Sequence, residues 1–351
     1  MMKTNLSLIL VTTMTVIGVS IASAQTSAKS ISRGTVNADT GFVAETITLE
    51  TPTAVLYGTL ERPQPRARVP VVLIIAGSGP TDRDGNSPLL PGKNNSLKLL
   101  AEALAARGIA SVRYDKRGVG ESGKAMQLAA EKTKTVLREE DLTFETYIDD
   151  AVRWGKQLLS DRRFSTITVI GHSEGSLIGM VAAQRMGADA FVSIAGAGRP
   201  IQQIILEQVK PQFSAELLKK TEEILEQLGA GKTVALVPSE LQPLFRPSIQ
   251  PYMISWLRYD PAKEISKLRI PLLVVQGTTD IQASLGDAKR LTAGNPTAKL
   301  VLIEGMNHVL KTVPNEQDKQ VSSYSDSKLP VAADLVSEIS SFVNKNRSAR
   351  D

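Results

Sequence analysis

Ser173 stands in Gly171-His172-Ser173-Glu174-Gly175, a G-x-S-x-G pentapeptide set between an apolar run, Ile167 to Ile170, and a helical pattern, Ser176 to Met186. A strand that feeds a helix through such a turn holds the serine in strained dihedrals and lifts its hydroxyl clear of the strand end. The flanking glycines are needed there because a Cβ would strike the neighbouring strand or helix. A serine hydroxyl becomes a useful nucleophile only beside a base, and the chain has two histidines. His172 neighbours Ser173, and adjacent side chains at a strand end point opposite ways, so it is expected to pack against the sheet. His308, in the turn Gly305-Met306-Asn307-His308, is left as the base. Asp280, in Gln276-Gly277-Thr278-Thr279-Asp280, supplies a carboxylate that would fix the imidazole tautomer and stabilise the imidazolium. Its alternative role is to cap the helix from Ser284 onward; Asp287, inside that helix, is the fallback acid. Oxyanion donors are expected from the backbone N–H of Ser78, in the glycine-rich Ile75-Ala76-Gly77-Ser78-Gly79-Pro80, and from that of Glu174 at a helix N-terminus. The first could equally be an ordinary Gly-Pro turn, and Glu174 an acid placed favourably in a first helical turn.

These residues need a scaffold, and the apolar pattern supplies one. Short apolar runs at Phe42 to Leu49, Val55 to Leu60, Val71 to Ala76, Ala110 to Tyr114, Ile167 to Ile170, Ala190 to Ala195, Pro271 to Gln276 and Leu300 to Ile303 predict eight strands. The later six are nearly continuous Val, Ile, Leu and Ala, as in strands buried on both faces. Helical patterns lie between most of them: Leu97 to Ala106, the stretch after Thr143, Ser176 to Met186, and Val331 to Val343 at the C-terminus. The pattern predicts an α/β fold with a mostly parallel eight-stranded sheet flanked by helices. Residues 199–261 break the alternation with helical stretches at Ile201 to Val209 and Ala215 to Leu228 and a proline-rich segment from Pro238 to Pro251, and are expected to form a helical cap insertion. Tyr252, Met253 and Trp256 are its candidate pocket residues, although each taken singly suits core packing. The core is thus expected in two parts, 42–198 and 262–351.

Gly118-Val119-Gly120-Glu121-Ser122-Gly123 spells a dinucleotide-binding fingerprint. Asp115-Lys116-Arg117 separates it from the strand end, however, and no apolar strand carries the acids that follow. An ion pair between Asp115 and Arg117 is expected to hold this loop instead. With no cysteine and two histidines among 351 residues, thiol nucleophiles, zinc fingers, iron–sulfur clusters and disulfide frameworks are excluded. No cofactor or metal is expected. The charge of +5 is dispersed along the chain and aromatic residues make up 4%, which gives no nucleic-acid footprint. Lys3, an uncharged apolar run from Leu6 to Ile21 and Ala22-Ser23-Ala24 have the layout of a signal peptide over 1–24, with a flexible segment over 25–41. An exported protein without stable membrane association is expected, in the periplasm or the medium.

The order Ser173, Asp280, His308 is that of α/β hydrolases, and the chain resembles that superfamily over about residues 42–345. The loop from Ala76 to Asn86, the segment Arg113-Tyr114-Asp115-Lys116-Arg117-Gly118 and the serine pentapeptide are similar to a bacterial branch of serine esterases. The resemblance implies acyl transfer to water through Ser173, a small-molecule ester of a short acyl chain as substrate, and a cap after the sixth strand. Thr279 departs from it, since related chains often carry an acid there. Amide or exopeptidase chemistry, with Glu207 binding a substrate amine, and thioesterase chemistry are alternatives on the same fold. A non-catalytic binder is the alternative from another class.

Overall fold

The computed structural model of the chain describes residues 35–36, 41–64, 68–133 and 138–347. The signal-peptide expectation at 1–24 lies outside them. The strands are β1 (Thr35–Val36), β2 (Phe42–Glu50), β3 (Val55–Pro63), β4 (Val69–Ile75), β5 (Ala110–Tyr114), β6 (Phe164–His172), β7 (Ala190–Ile194), β8 (Leu272–Gly277) and β9 (Lys299–Ile303). They form one sheet in the order β1-β2-β3-β5-β4-β6-β7-β8-β9. Pairing is antiparallel from β1 through β3 to β5 and parallel from β5 onward. The eight apolar runs correspond to β2 to β9 one for one. Two-residue β1 pairs with β2 from within the segment expected to be flexible.

The helices are α1 (Ser96–Ala105), α2 (Gly120–Thr133), α3 (Phe144–Ser160), α4 (Glu174–Met186), α5 (Ile201–Val209), α6 (Ala215–Gly229), α7 (Gln242–Phe245), α8 (Gln250–Trp256), α9 (Pro261–Ser266), α10 (Leu285–Gly294), α11 (Gln317–Ser323) and α12 (Ala333–Arg347). α3 starts where Thr143 accepts the N–H of Thr146 and buries Phe144, Tyr147, Ile148, Ala151, Trp154 and Leu158 along one stripe. Alternation along β4 divides the core. Val71, Leu73 and Ile75 face the cluster built with α3, α4 and the helices after β7, whereas Val72 and Ile74 face α1 and α12. Trp154, in the first cluster, is the largest fully buried side chain among the described residues.

The chain between β7 and β8 is helical. Its proline-rich part resolves into single turns, in which Pro243, Pro247 and Pro251 stand at the first or second helical position. There the missing N–H costs no hydrogen bond. No described helix is long and apolar enough to cross a membrane.

The expected Asp115–Arg117 pair does not form. Asp115 accepts the backbone N–H of Arg83 at 2.8 Å and that of Glu121 at 2.8 Å, and pairs with the Arg83 guanidinium at 2.9 Å. Arg117 instead grips Asp150 through two bonds of 2.6 and 2.8 Å. Asp115 therefore serves two backbone donors that a neighbouring arginine would have left unsatisfied. The glycines of the fingerprint-like motif pack this turn: a Cβ on Gly120 would lie 2.3 Å from the Asp115 carboxylate.

Candidate active site

Ser173 joins β6 to α4 with φ 55° and ψ −123°, a region that L-residues avoid unless the surroundings enforce it. The enforcement is visible in contacts. A Cβ on Gly175 would stand 2.3 Å from the carbonyl oxygen of Ile75, and one on Gly171 2.2 Å from that of Gly175. Only glycine lets the elbow approach β4 this closely. β4 and β6 are neighbours with Ile75 opposite Gly171, so the turn after β4 arrives beside the elbow. A Cβ on Gly77 would come within 3.1 Å of the Ser173 Cβ. The sheet order reverses at β4, and the carboxyl ends of strands at such a reversal form the crevice where α/β proteins place ligands.

β8 and β9 bring the other two groups. Asp280 follows β8, and its Oδ2 and Oδ1 lie 3.0 and 3.2 Å from His308 Nδ1. Oδ1 also accepts the N–H groups of Gln282 at 2.7 Å and Ala283 at 2.9 Å. Burial would push this carboxyl up, but the charge and hydrogen bond of His308 and the two backbone donors outweigh it, so its pKa lies below the ordinary carboxylate value. The turn carrying His308 is pinned to β8: Thr279 Oγ1 donates to the Gly305 carbonyl and the Gly305 N–H donates to Thr278 Oγ1, both at 2.9 Å. Thr279 thus holds the turn that carries His308. Asp287 is engaged elsewhere. Its carboxylate accepts from Arg199, Ser284 and the N–H of Gly198.

His172 is buried, with Nε2 2.8 Å from the carbonyl oxygen of His308. A carbonyl only accepts, so Nε2 carries the proton. Burial first, and then the nearby His308, push its pKa down to about 3. It is a neutral prop under the His308 backbone.

Ser173, Ser78, Glu174 and His308 line one cavity of about 50 Å³, whose remaining wall includes Ala195, Ala197, Ile201, Ile204, Trp256 and Asp287. A second compartment of similar size, on the side of Thr81, Ser87 and Tyr324, shares Ser78, Ser173 and His308. Trp256 lines the first cavity, its ring stacked on Phe144 at 5.4 Å. Tyr252 and Met253 do not line it. Tyr252 packs between Phe144, Tyr147 and Trp256, and Met253 is buried in the same core. Tyr252, one turn before Trp256, packs against its ring at 5.6 Å and is screened from the cavity by it, and the adjacent Met253 points away from Tyr252.

Sequence reasoning missed Lys116. Its ammonium is buried and donates to the Gly77 carbonyl at 2.5 Å and to the Glu174 carboxylate at 3.1 Å. Glu174 stands in the first turn of α4 as expected and is in addition a buried ion-pair partner. The signal was present only as a lysine two residues past the end of a buried strand.

The profile of the family described as serine aminopeptidase, S33, matches residues 93–317, more than half of the chain. The protein belongs to this family of α/β-hydrolase-fold serine hydrolases. It is 29% identical over 273 residues to Esterase EstD of Thermotoga maritima, a match covering 76% of this chain and 61% of EstD. It therefore spans about three fifths of that relative's length. Among solved structures, ferulic-acid-bound Est1E from Butyrivibrio proteoclasticus superposes with a TM-score of 0.54 at 18% identity, over 86% of this chain and 98% of Est1E. The Pyrococcus furiosus esterase Pf2001 gives 0.52 at 14% identity, over 91% and 95%. At these identities the likeness is one of fold.

Proposed function

We propose that the protein is an exported carboxylesterase that cleaves esters of short acyl chains through an acyl-enzyme on Ser173. The observation that carries the reading is the strained Ser173 in one small cavity with His308, whose Nδ1 meets the buried Asp280 at 3.0 Å. In this reading His308 takes the Ser173 proton as the hydroxyl attacks the ester carbonyl, and Asp280 holds the imidazole with its other nitrogen toward the serine. The N–H groups of Ser78 and Glu174 receive the oxyanion. His308 then gives its proton to the leaving alcohol, and water repeats the sequence to release the acid. A cavity of about 50 Å³ bounded by Ile201, Ile204 and Trp256 supports a short, apolar acyl group.

The printed name of EstD supports ester chemistry, whereas the family description raises the aminopeptidase reading. That reading needs an acid to bind the substrate amine. Glu207 is already paired with Arg199, which favours the ester. The apolar run from Leu6 to Ile21 followed by Ala22-Ser23-Ala24 supports export, with Gln25 as the mature N-terminus.

The test is hydrolysis of a panel of p-nitrophenyl esters and aminoacyl amides, together with intact-mass detection of a fluorophosphonate adduct. One label per chain is expected, none in Ser173→Ala, and highest kcat/KM for two- to four-carbon acyl groups. Labelling that persists in Ser173→Ala refutes the nucleophile, and preference for amides refutes the substrate class.

A further inference from the structure

We infer that Lys116 is the positioning residue of the oxyanion hole: its buried ammonium, held in place by the Glu174 carboxylate, grips the Gly77 carbonyl and so sets the direction of the Ser78 N–H beside that of Glu174. This rests on the reading of Ser173 as nucleophile with those two donors.

The geometry follows from peptide planarity. In a trans peptide the C=O of residue i and the N–H of residue i+1 point in opposite directions. Fixing the Gly77 carbonyl therefore fixes the Ser78 N–H. The tie is a short charge-assisted bond of 2.5 Å. The same ammonium holds Glu174 at 3.1 Å, the residue whose N–H opens α4 immediately after Ser173. Glu174 and Lys116 side chains are each 4% exposed, so little water competes for these bonds. An ammonium has three donors. Gly77 and Glu174 take two, and the face of the Tyr147 ring, 5.5 Å to its centroid, receives the third side of the charge.

The clamp joins segments that the chain keeps far apart. Gly77 follows β4, Lys116 follows β5, Glu174 follows β6, and Tyr147 belongs to α3. Thr81 Oγ1 donates to the Ser78 carbonyl at 2.8 Å, which orients the following Ser78–Gly79 peptide, so losing the ammonium removes the bond to the Gly77 carbonyl that orients the Ser78 N–H. A donor rotated out of line is lost mainly to the tetrahedral state, because the planar ester oxygen asks less of it. The loss should then appear in kcat and not in KM.

The experiment compares Lys116→Met, Lys116→Gln and the double variant Lys116→Met/Glu174→Gln with the parent. Three quantities are read: p-nitrophenyl acetate kinetics, inhibition by an alkyl boronic acid that forms a tetrahedral adduct, and Tm. Lys116→Met should lower kcat by about 10²- to 10³-fold, the range for loss of one oxyanion donor, with KM within about threefold and boronate affinity falling in parallel. Lys116→Gln keeps an N–H for Gly77 and should recover part of kcat. The double variant removes the unpaired buried carboxylate, so its Tm should return toward that of the parent while kcat stays low. If Lys116→Met does not fold, the glutamine and double variants carry the comparison. Parent-like kcat in Lys116→Met or the double variant, equal kcat in the glutamine and double variants, or a change confined to KM overturns the clamp. Persistent fluorophosphonate labelling of Ser173→Ala instead overturns the underlying reading of the site.

Discussion

His172 should make the fold acid-sensitive by an amount that can be worked out. In the folded chain its pKa lies at about 3 against an ordinary 6.5, because the ring is buried and faces His308. The unfolded chain therefore binds more protons than the folded one between pH 6.5 and pH 3, and stability rises with pH across that window. The contribution is complete above about pH 6.5. At pH 4.5, two units below the unfolded value, neutral His172 costs about 3 kcal/mol, from about 1.4 kcal/mol per unit. Replacing His172 with Gln removes the titration yet retains an N–H able to donate to the His308 carbonyl. Urea unfolding of parent and variant at pH 7.5 and pH 4.5 isolates the effect, since the two chains share every other titratable group. The parent should lose about 3 kcal/mol more than the variant between the two pH values. Equal losses would refute the neutral-prop assignment.

Asp280→Asn should reduce kcat by about 10⁴-fold, as a mis-set imidazole tautomer does in serine proteases, and steady-state ester hydrolysis with KM little changed is the expected result. Trp256→Ala should extend the acyl preference toward longer chains and lower stability by about 3–5 kcal/mol; an unchanged chain-length profile removes Trp256 from the cavity wall. Gly175→Ala should destabilise by roughly 3 kcal/mol or more, because the new Cβ meets backbone oxygens of Ile75 and Ala76 at 2.3 and 2.6 Å. A parent-like urea midpoint would contradict that crowding.

What could be read from the sequence follows the physics of burial. β4 to β8 announce themselves because both sheet faces are covered, so their residues are almost all buried and mostly apolar. The elbow is legible because its constraint is local: a strained serine needs glycines on either side. α2 was not legible. It has little apolar periodicity and exposes Leu128, so its helix rests on the Asp115 bond to the Glu121 N–H at its start. α11 is seven residues with few apolar positions, too short to show a period. The Asp115–Arg117 expectation failed because proximity in sequence says little about which buried donors a carboxylate will meet. Lys116 was passed over for the same reason, since both of its partners are more than 35 positions away.

The rung that sets Ile75 opposite Gly171 also has a temporal meaning. Between these two strands the chain runs through α1, β5, α2 and α3, and parallel pairing across such a separation costs loop-closure entropy before any contact is gained. No local fragment can hold Ser78 beside Ser173 in advance, although α3 and α4 can form helix from neighbouring residues. During refolding, helical signal should therefore return ahead of reactivity toward a fluorophosphonate, and covalent labelling becomes a clock for the docking of β6 on β4.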